Sequence, residues 1–280
     1  MGIINKILPN SLKPFSRDIG FSLRTLVYKV KKINKKINST PIFILGNQKS
    51  GTSAISSLLG SYSGKITAVD LFLSGYYPSL LTHWKNKKIN TQDFINKNKV
   101  EFSSEIIKEP HLSIFYDELI LEYPNSKFVM IIRNPFDNIR SILDRLNVGG
   151  SQTKLNKNDK KKFFHSWSLL LNNEWFGGSK NHYIEVLAER WNIISNIYLE
   201  NADNIVLIKY EDFLLDKNKT IQMLAEKLNL KKVKEISHLL ENQFQPKGKR
   251  KDVDTKVFFG EKNYSKIYDI CKGNMKKLEY

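Results

Sequence analysis

The stretch Pro41-Ile42-Phe43-Ile44-Leu45-Gly46-Asn47-Gln48-Lys49-Ser50-Gly51-Thr52-Ser53-Ala54-Ile55 constrains this chain more than any other. A short apolar run stops at Gly46, a small polar loop with one lysine follows, and an apolar-periodic segment runs from about Ser53 to Leu59. Strand, tight loop and helix in that order aim free backbone N–H groups at one point, and the helix N-terminus adds partial positive charge. The product is an anion site, most often one for phosphate. The nucleotide-triphosphatase pattern Gly-x-x-x-x-Gly-Lys-Ser/Thr would place its lysine at position 52. This chain has Thr52 there and carries its lysine earlier, at Lys49. The loop is therefore phosphate-binding in kind but the wrong one for ATP or GTP.

A second apolar run, Lys127 to Ile132, reads as a buried strand from its continuous hydrophobic character. It ends in Arg133-Asn134-Pro135, and a helix is expected from about Pro135 to Leu146 with proline in its first turn. Lys65 to Asp70 and Asn204 to Ile208 are also strand-like, the latter leading into Tyr210-Glu211-Asp212-Phe213. Further helices are expected at about 112–122, 163–174, 182–200, 218–228 and 231–241, with 71–100 irregular and 147–162 a polar mobile loop. Strands alternating with helices predict an α/β fold, P-loop-like, with a central, mostly parallel β-sheet flanked by helices in a single domain. Ligands of such sheets sit at the carboxyl ends of the strands. The loop from Gly46 to Thr52, Asp70, Arg133 and Tyr210 each follow a strand-like run, so they are expected to meet at one sheet edge.

Composition narrows the ligand class. A chain of 280 residues with 41% hydrophobic and 26% charged residues can bury one full core. The formal charge is +17, yet only seven of the 45 basic residues are arginine, and three of these, Arg133, Arg140 and Arg145, fall in one short segment. Arginine is the bidentate binder of phosphate, so this cluster is more informative than the lysines. The charge leaves open an anionic substrate, an anionic membrane or nucleic acid. Its basic residues are dispersed and no RNA-recognition or zinc-finger pattern is present, so no nucleic-acid partner is expected. The single cysteine, Cys271, excludes a disulfide within the chain and allows a reducing compartment.

No run of about 20 apolar residues suggests a membrane span. The N-terminus lacks the apolar core of a cleaved leader, and Lys6 stands where myristoylation wants Ser or Thr. A cytoplasmic location is the expectation. Residues 1–40 read as a basic amphipathic extension: Ile19, Leu23, Leu26, Val27, Val30, Ile33 and Ile37 recur at three-to-four spacing among Lys29, Lys31, Lys32, Lys35 and Lys36. Such a helix over 17–38 either packs on the domain or lies peripherally on an anionic membrane, here the inner face.

Arg133-Asn134-Pro135-Phe136-Asp137-Asn138-Ile139-Arg140-Ser141, taken with Gly-x-x-Lys-Ser-Gly-Thr-Ser, resembles the two nucleotide-binding motifs of sulfotransferases that use 3′-phosphoadenosine 5′-phosphosulfate, PAPS. The resemblance covers roughly residues 41–280, the expected sulfotransferase domain. It implies that Lys49, Ser50, Gly51, Thr52 and Ser53 hold the 5′-phosphosulfate and that Arg133 and Ser141 hold the 3′-phosphate. Trp191 with Tyr210-Glu211-Asp212 resembles a further family stretch, which places Tyr210 near the adenine. Gln245-Pro246-Lys247-Gly248-Lys249-Arg250 resembles the late basic loop near the 3′-phosphate, giving Lys247 and Gly248. Met275 to Tyr280 is similar to the closing helix of many bacterial members. The resemblance also implies PAPS as sulfuryl donor without a metal, lysine and backbone standing in for Mg²⁺. Ser53 replaces a common threonine and keeps its hydroxyl. Ala54 replaces an aromatic of some members, so adenine stacking must come from elsewhere.

Two rivals differ in class. A P-loop kinase or NTPase predicts lysine at 52 and an acid closing the 127–132 strand, where this chain has Thr52 and Arg133. A non-catalytic module would hold a polyanion or nucleic acid on its basic surface.

Sulfuryl transfer needs donors for the leaving phosphate oxygen and the sulfuryl oxygens, and a base for the acceptor hydroxyl. Lys49 and the loop N–H groups suit the first role. For the base, Asp70 matches an acid that tyrosylprotein-type members use in this region, while Glu109 and His111, in Lys108-Glu109-Pro110-His111, compete with it. Lys108 suits a second cation. The expected acceptor is a hydroxyl of a glycan or other carbohydrate. Trp167, Trp175, Phe176, Tyr183 and Trp191 read as helix core or as a platform for that acceptor.

Overall fold

A computed structural model describes residues 24–244 and 253–280. Strands β1 (Ile42–Gly46), β2 (Thr67–Val69), β3 (Ile106–Lys108), β4 (Lys127–Ile132) and β5 (Ile205–Lys209) form one sheet in the order β2-β3-β1-β4-β5. Every pairing is parallel. The chain first winds to one side of β1, laying down β2 and β3, and then crosses to the other for β4 and β5. The strand order reverses at β1, which opens a crevice at its carboxyl end.

Both faces of the sheet are buried, as the unbroken apolar runs of β1 and β4 require. Alternate side chains point to opposite faces. Phe43, Leu45, Phe128, Met130 and Ile132 enter the larger core. Ile42, Ile44, Val129 and Ile131 enter the smaller one. The helices that matter for the site are α1 (residues 24–33), α2 (Thr52–Ser63), α3 (Pro135–Arg145), α4 (Tyr183–Glu200) and α5 (Thr255–Lys277). Side chains of α3, α4 and α5 fill the larger core, and those of α2 the smaller. No helix among the described residues is long and apolar enough to cross a membrane.

Several local expectations are corrected. Residues 71–100 are not irregular but hold three short helices, Phe72–Tyr76, Ser79–Lys85 and Thr91–Lys97. The helix expected at 112–122 opens as a 3₁₀ turn, Pro110–Phe115, before Tyr116–Glu122, because the Glu109 carboxylate caps His111 N at 3.0 Å. The helix expected at 163–174 is divided into a 3₁₀ turn, His165–Leu170, and Asn173–Phe176, while the 147–162 loop contains the helix Lys157–Lys162. The helix expected at 231–241 is reduced to a 3₁₀ turn at Ser237–Leu239. There the N–H groups of Val233 and Lys234 donate to Tyr62 O at 2.7 and 3.2 Å, which takes them out of any helix of their own. Helix α5 is far longer than the closing helix expected near 275–280, and Gly260 at φ 67° kinks it.

Candidate active site

Parallel register brings the functional segments together. Ile44 and Val69 both lie opposite Lys108, Gly46 opposite Ile131, and Ile132 opposite Lys209. The loop after β1, Asp70 after β2, Arg133 after β4 and Tyr210 after β5 therefore share one edge, as expected from the sequence, and the strand Ile106–Lys108, which was not expected, brings Glu109 to the same edge.

The loop is tightly coiled. Lys49 adopts φ 67° and Gly51 φ 89°, both in the left-handed region. A Cβ on Gly51 would lie 2.3 Å from the Tyr210 ring, so only glycine allows this approach. A buried polar network holds the loop from below. Asn47 Nδ2 donates to Asn138 Oδ1 at 2.9 Å, and Asn138 Nδ2 donates to Gln48 O at 2.8 Å and to Ser50 Oγ at 3.0 Å. Arg190 donates from Nε to Asn47 Oδ1 at 3.1 Å and from Nη2 to Gln48 Oε1 at 3.2 Å. Its guanidinium is fully buried near the rings of Trp175 and Phe176, and burial draws its pKa down to about 9. Ser50 belongs to this frame: it is fully buried, with its hydroxyl turned to Asn138.

A cavity of about 410 Å³ opens above the loop, within the range of ligand sites. Lys49, Gly51, Thr52, Ser53, Arg133, Ser141 and Tyr210 line it together. Arg133 donates from Nη1 to Lys49 O at 3.0 Å, and its guanidinium stands 4.7 Å over the Tyr210 ring. Its Nε is buried and has no hydrogen-bond partner among the described residues. Burial lowers the Arg133 pKa. Asn134 caps α3 by accepting from Phe136 N at 3.0 Å, and Pro135 occupies the first turn. The turn is pinned from behind: Asn134 N donates to Glu211 Oε1 at 3.0 Å, and Trp191 Nε1 to Arg133 O at 2.8 Å. The Tyr-Glu-Asp stretch thus contributes a ring to the cavity through Tyr210 and a brace through Glu211. Lys247 and Gly248 lie outside the described residues. Ala54 also lines the cavity, where Tyr210, Phe213 and Phe244 provide the aromatic surface it lacks. A guanidinium, a lysine, loop N–H groups and aromatic rings around one cavity fit an adenine nucleotide phosphorylated at both ends.

A second cavity, of about 150 Å³, adjoins the first, and Lys49 and Thr52 line both. Asp70, Lys108, Glu109, His111, Ser166 and Trp167 are also in its wall. The Lys108 ammonium, 2% exposed, is paired with the Asp70 carboxylate, 54% exposed. Asp70 holds a left-handed φ of 65°, and its N–H donates to Lys108 O at 2.8 Å. Glu109 is buried and accepts from His111 N at 3.0 Å and from Leu71 N at 3.1 Å. Burial and then the neighbouring Asp70 charge push its pKa up to about 7. His111 accepts at Nε2 from Gln48 Nε2 at 3.1 Å, because Gln48 Oε1 already accepts from Arg190. Burial, then the charges of Arg190 and Lys108, hold the imidazole neutral, well below its ordinary pKa. Burial, then Arg145, Arg133 and Lys108, lower the Lys49 pKa to about 8.

Of the aromatic residues expected near the acceptor, Trp175, Phe176, Tyr183 and Trp191 are buried in the core, and Trp167 lines the second cavity. Among the described residues no group of three or more His, Cys, Asp or Glu could hold a metal ion. Sequence reasoning missed Asn47, Asn138 and Arg190. An asparagine in the apolar stripe of α3 and an arginine beside Trp191 were the available signals.

The comparisons with known proteins agree with this geometry. The family model described as a sulfotransferase domain matches residues 39–277. A Caenorhabditis briggsae protein with the provisional name protein-tyrosine sulfotransferase is 24% identical over 200 residues, covering 64% of this chain and 70% of that one. A sulfotransferase structure from Mycobacterium tuberculosis H37Rv shares the fold at 12% identity and TM-score 0.50, over 90% of this chain and 81% of that one. A Mycobacterium avium sulfotransferase does so at 11% identity and TM-score 0.50, over 91% and 80%. Loop, arginine turn and family match converge: this chain belongs to the sulfotransferase domain family and is an enzyme whose sulfuryl donor is PAPS.

Proposed function

We propose that this enzyme transfers a sulfuryl group from PAPS to a hydroxyl of a carbohydrate, with the transfer point where the two cavities meet. The observation that carries this reading is the sharing of Lys49 and Thr52 by both cavities. The larger cavity takes the nucleotide, with Arg133 and Ser141 on its 3′-phosphate, Tyr210 beside the adenine, and Lys49, Gly51, Thr52 and Ser53 around the 5′ end. Lys247 and Gly248 are proposed to complete the 3′-phosphate contacts. The smaller cavity takes the acceptor.

In the transfer, the acceptor oxygen bonds to sulfur while the bond from sulfur to the 5′-phosphate oxygen breaks. Lys49 and the loop N–H groups are preorganised donors for the charge developing on that oxygen. The acceptor proton goes to Asp70. Asp70 suits the base because it is half exposed in the acceptor cavity, with Lys108 orienting its carboxylate. Both oxygens of Glu109 accept backbone N–H groups, one of them from Leu71 next to Asp70, so Glu109 braces the base. His111 uses Nε2 to accept from Gln48 and is not the base through that nitrogen. Trp167 and Ser166 give the small cavity the aromatic and hydroxyl character that suits a sugar.

A tyrosyl hydroxyl is the second reading, favoured by the name of the Caenorhabditis briggsae relative. Incubation with radiolabelled PAPS across sugars, oligosaccharides and tyrosine-containing peptides separates the two. Label in carbohydrate alone supports the first reading, and label in peptide alone overturns it.

A further inference from the structure

Helix α1 is held to the domain by one face and presents aliphatic side chains on the other. Tyr28 is its buried residue: the hydroxyl donates to Glu101 Oε2 at 2.6 Å, and the ring stacks on Phe72 at 5.3 Å between centroids. Glu101 Oε1 accepts from Phe72 N at 3.0 Å, so the anchor grips the segment that follows Asp70. Beyond the helix, Asn38 N donates to Phe102 O at 2.8 Å and Ile37 packs against the larger core. At about 100° per residue, Leu26, Val30 and Ile33 lie on the side opposite Tyr28, and Val27 lies on the flank that adjoins Val30. Leu26, Val27, Val30 and Ile33 are 59, 53, 61 and 74% exposed, a contiguous aliphatic strip facing away from the core.

The charge around the strip has one sign. Between Arg24 and Thr40 there is no acidic residue. Lys29, Lys31, Lys35 and Lys36 are exposed. Lys32 is half-buried, close enough to Lys97 and Lys99 for their charges to add to burial in lowering its pKa. A second copy of the helix would bring these cations against one another. Residues 1–23 carry Lys6, Lys13 and Arg17 against the one acid Asp18, so they offer no opposite charge. An aliphatic strip flanked by cations complements an anionic lipid surface.

We propose that α1 is an interfacial anchor that lays Leu26, Val27, Val30 and Ile33 into an anionic bilayer, with the flanking lysines among the phospholipid head groups. The test is cosedimentation of the full chain with phosphatidylcholine vesicles prepared with and without phosphatidylserine. Wild type is expected to partition at least ~10-fold more strongly when phosphatidylserine is present, and less so at high salt. The double substitution Val30→Asp/Ile33→Asp should reduce that partition at least ~10-fold while leaving thermal unfolding and turnover of a soluble acceptor unchanged. Lys29→Glu/Lys36→Glu should remove the preference for phosphatidylserine by about tenfold or more. The proposal is overturned if wild type ignores phosphatidylserine or if Val30→Asp/Ile33→Asp binds vesicles like wild type. It is also overturned if the chain self-associates through this strip and shows no vesicle binding.

Discussion

Arg133 Nη1 donates to the backbone carbonyl of Lys49 at 3.0 Å, so the two nucleotide motifs touch through one hydrogen bond. The same guanidinium lies over Tyr210, whose ring fills the space a Cβ would need at Gly51. Three segments from the ends of three strands are thereby locked as one unit. The loop is held in its coiled shape from outside: Arg133 donates to Lys49 O, while Asn138 accepts from Asn47 Nδ2 and donates to Gln48 O and Ser50 Oγ.

Replacing Arg133 by lysine keeps the charge and loses the planar fork. The substitution is expected to weaken binding of 3′-phosphoadenosine 5′-phosphate, PAP, by about 10- to 100-fold, the worth of a charge-assisted hydrogen bond. Titration calorimetry of Arg133→Lys checks this. Unchanged affinity would remove Arg133 from the phosphate site.

The lowered pKa of Lys49, about 8, makes nucleotide binding proton-linked. A bound anion favours the charged ammonium, so the bound-state pKa is higher than the free-state one. Binding therefore takes up a proton above about pH 8, and affinity falls by up to about tenfold per pH unit there. Below that pH, Lys49 is charged before and after binding, and no uptake arises from it. Calorimetry of PAP binding at pH 8.5 in two buffers of different ionisation enthalpy should give net proton uptake, absent in Lys49→Ala.

Gly51→Ala puts a methyl group 2.3 Å from the Tyr210 ring at a backbone φ of 89°. The expected cost is about 1–3 kcal/mol of folding stability by urea unfolding, accompanied by weaker PAP binding. Tyr210→Ala in the same chain should recover part of the stability and none of the binding. Wild-type stability in Gly51→Ala alone would contradict the close approach.

Asn138→Ala removes the partner of Asn47 Nδ2 and the donor to Gln48 O and Ser50 Oγ. Each buried group left without a partner costs about 1–3 kcal/mol. A stability loss in that range is expected by urea unfolding, together with reduced affinity for PAP although Asn138 does not line the nucleotide cavity. A surface-like loss below about 0.5 kcal/mol would show that the loop holds itself.

Much of the site was legible because a parallel sheet converts strand ends into neighbours. Gly46, Asp70, Arg133 and Tyr210 each follow an apolar run, and parallel register does the rest. The support beneath the loop was not legible, because Arg190 and Asn138 act through contacts spanning 142 and 90 residues of sequence. Local patterns misled for the opposite reason. Val233, Ile236, Leu239 and Leu240 are spaced as in a helix, but Tyr62 O captures the N–H groups of Val233 and Lys234. Between Phe72 and Lys97 the helices are five to seven residues long, too short to establish a period.

The central claim is that sulfuryl transfer occurs at the junction of the two cavities with Asp70 as base. It is tested most directly by single-turnover transfer from radiolabelled PAPS to an acceptor, in the presence of a metal chelator, with wild type and Asp70→Asn. The account predicts transfer by wild type and a rate at least ~10²-fold lower for Asp70→Asn, at unchanged PAP affinity. Transfer at the wild-type rate by Asp70→Asn would contradict it.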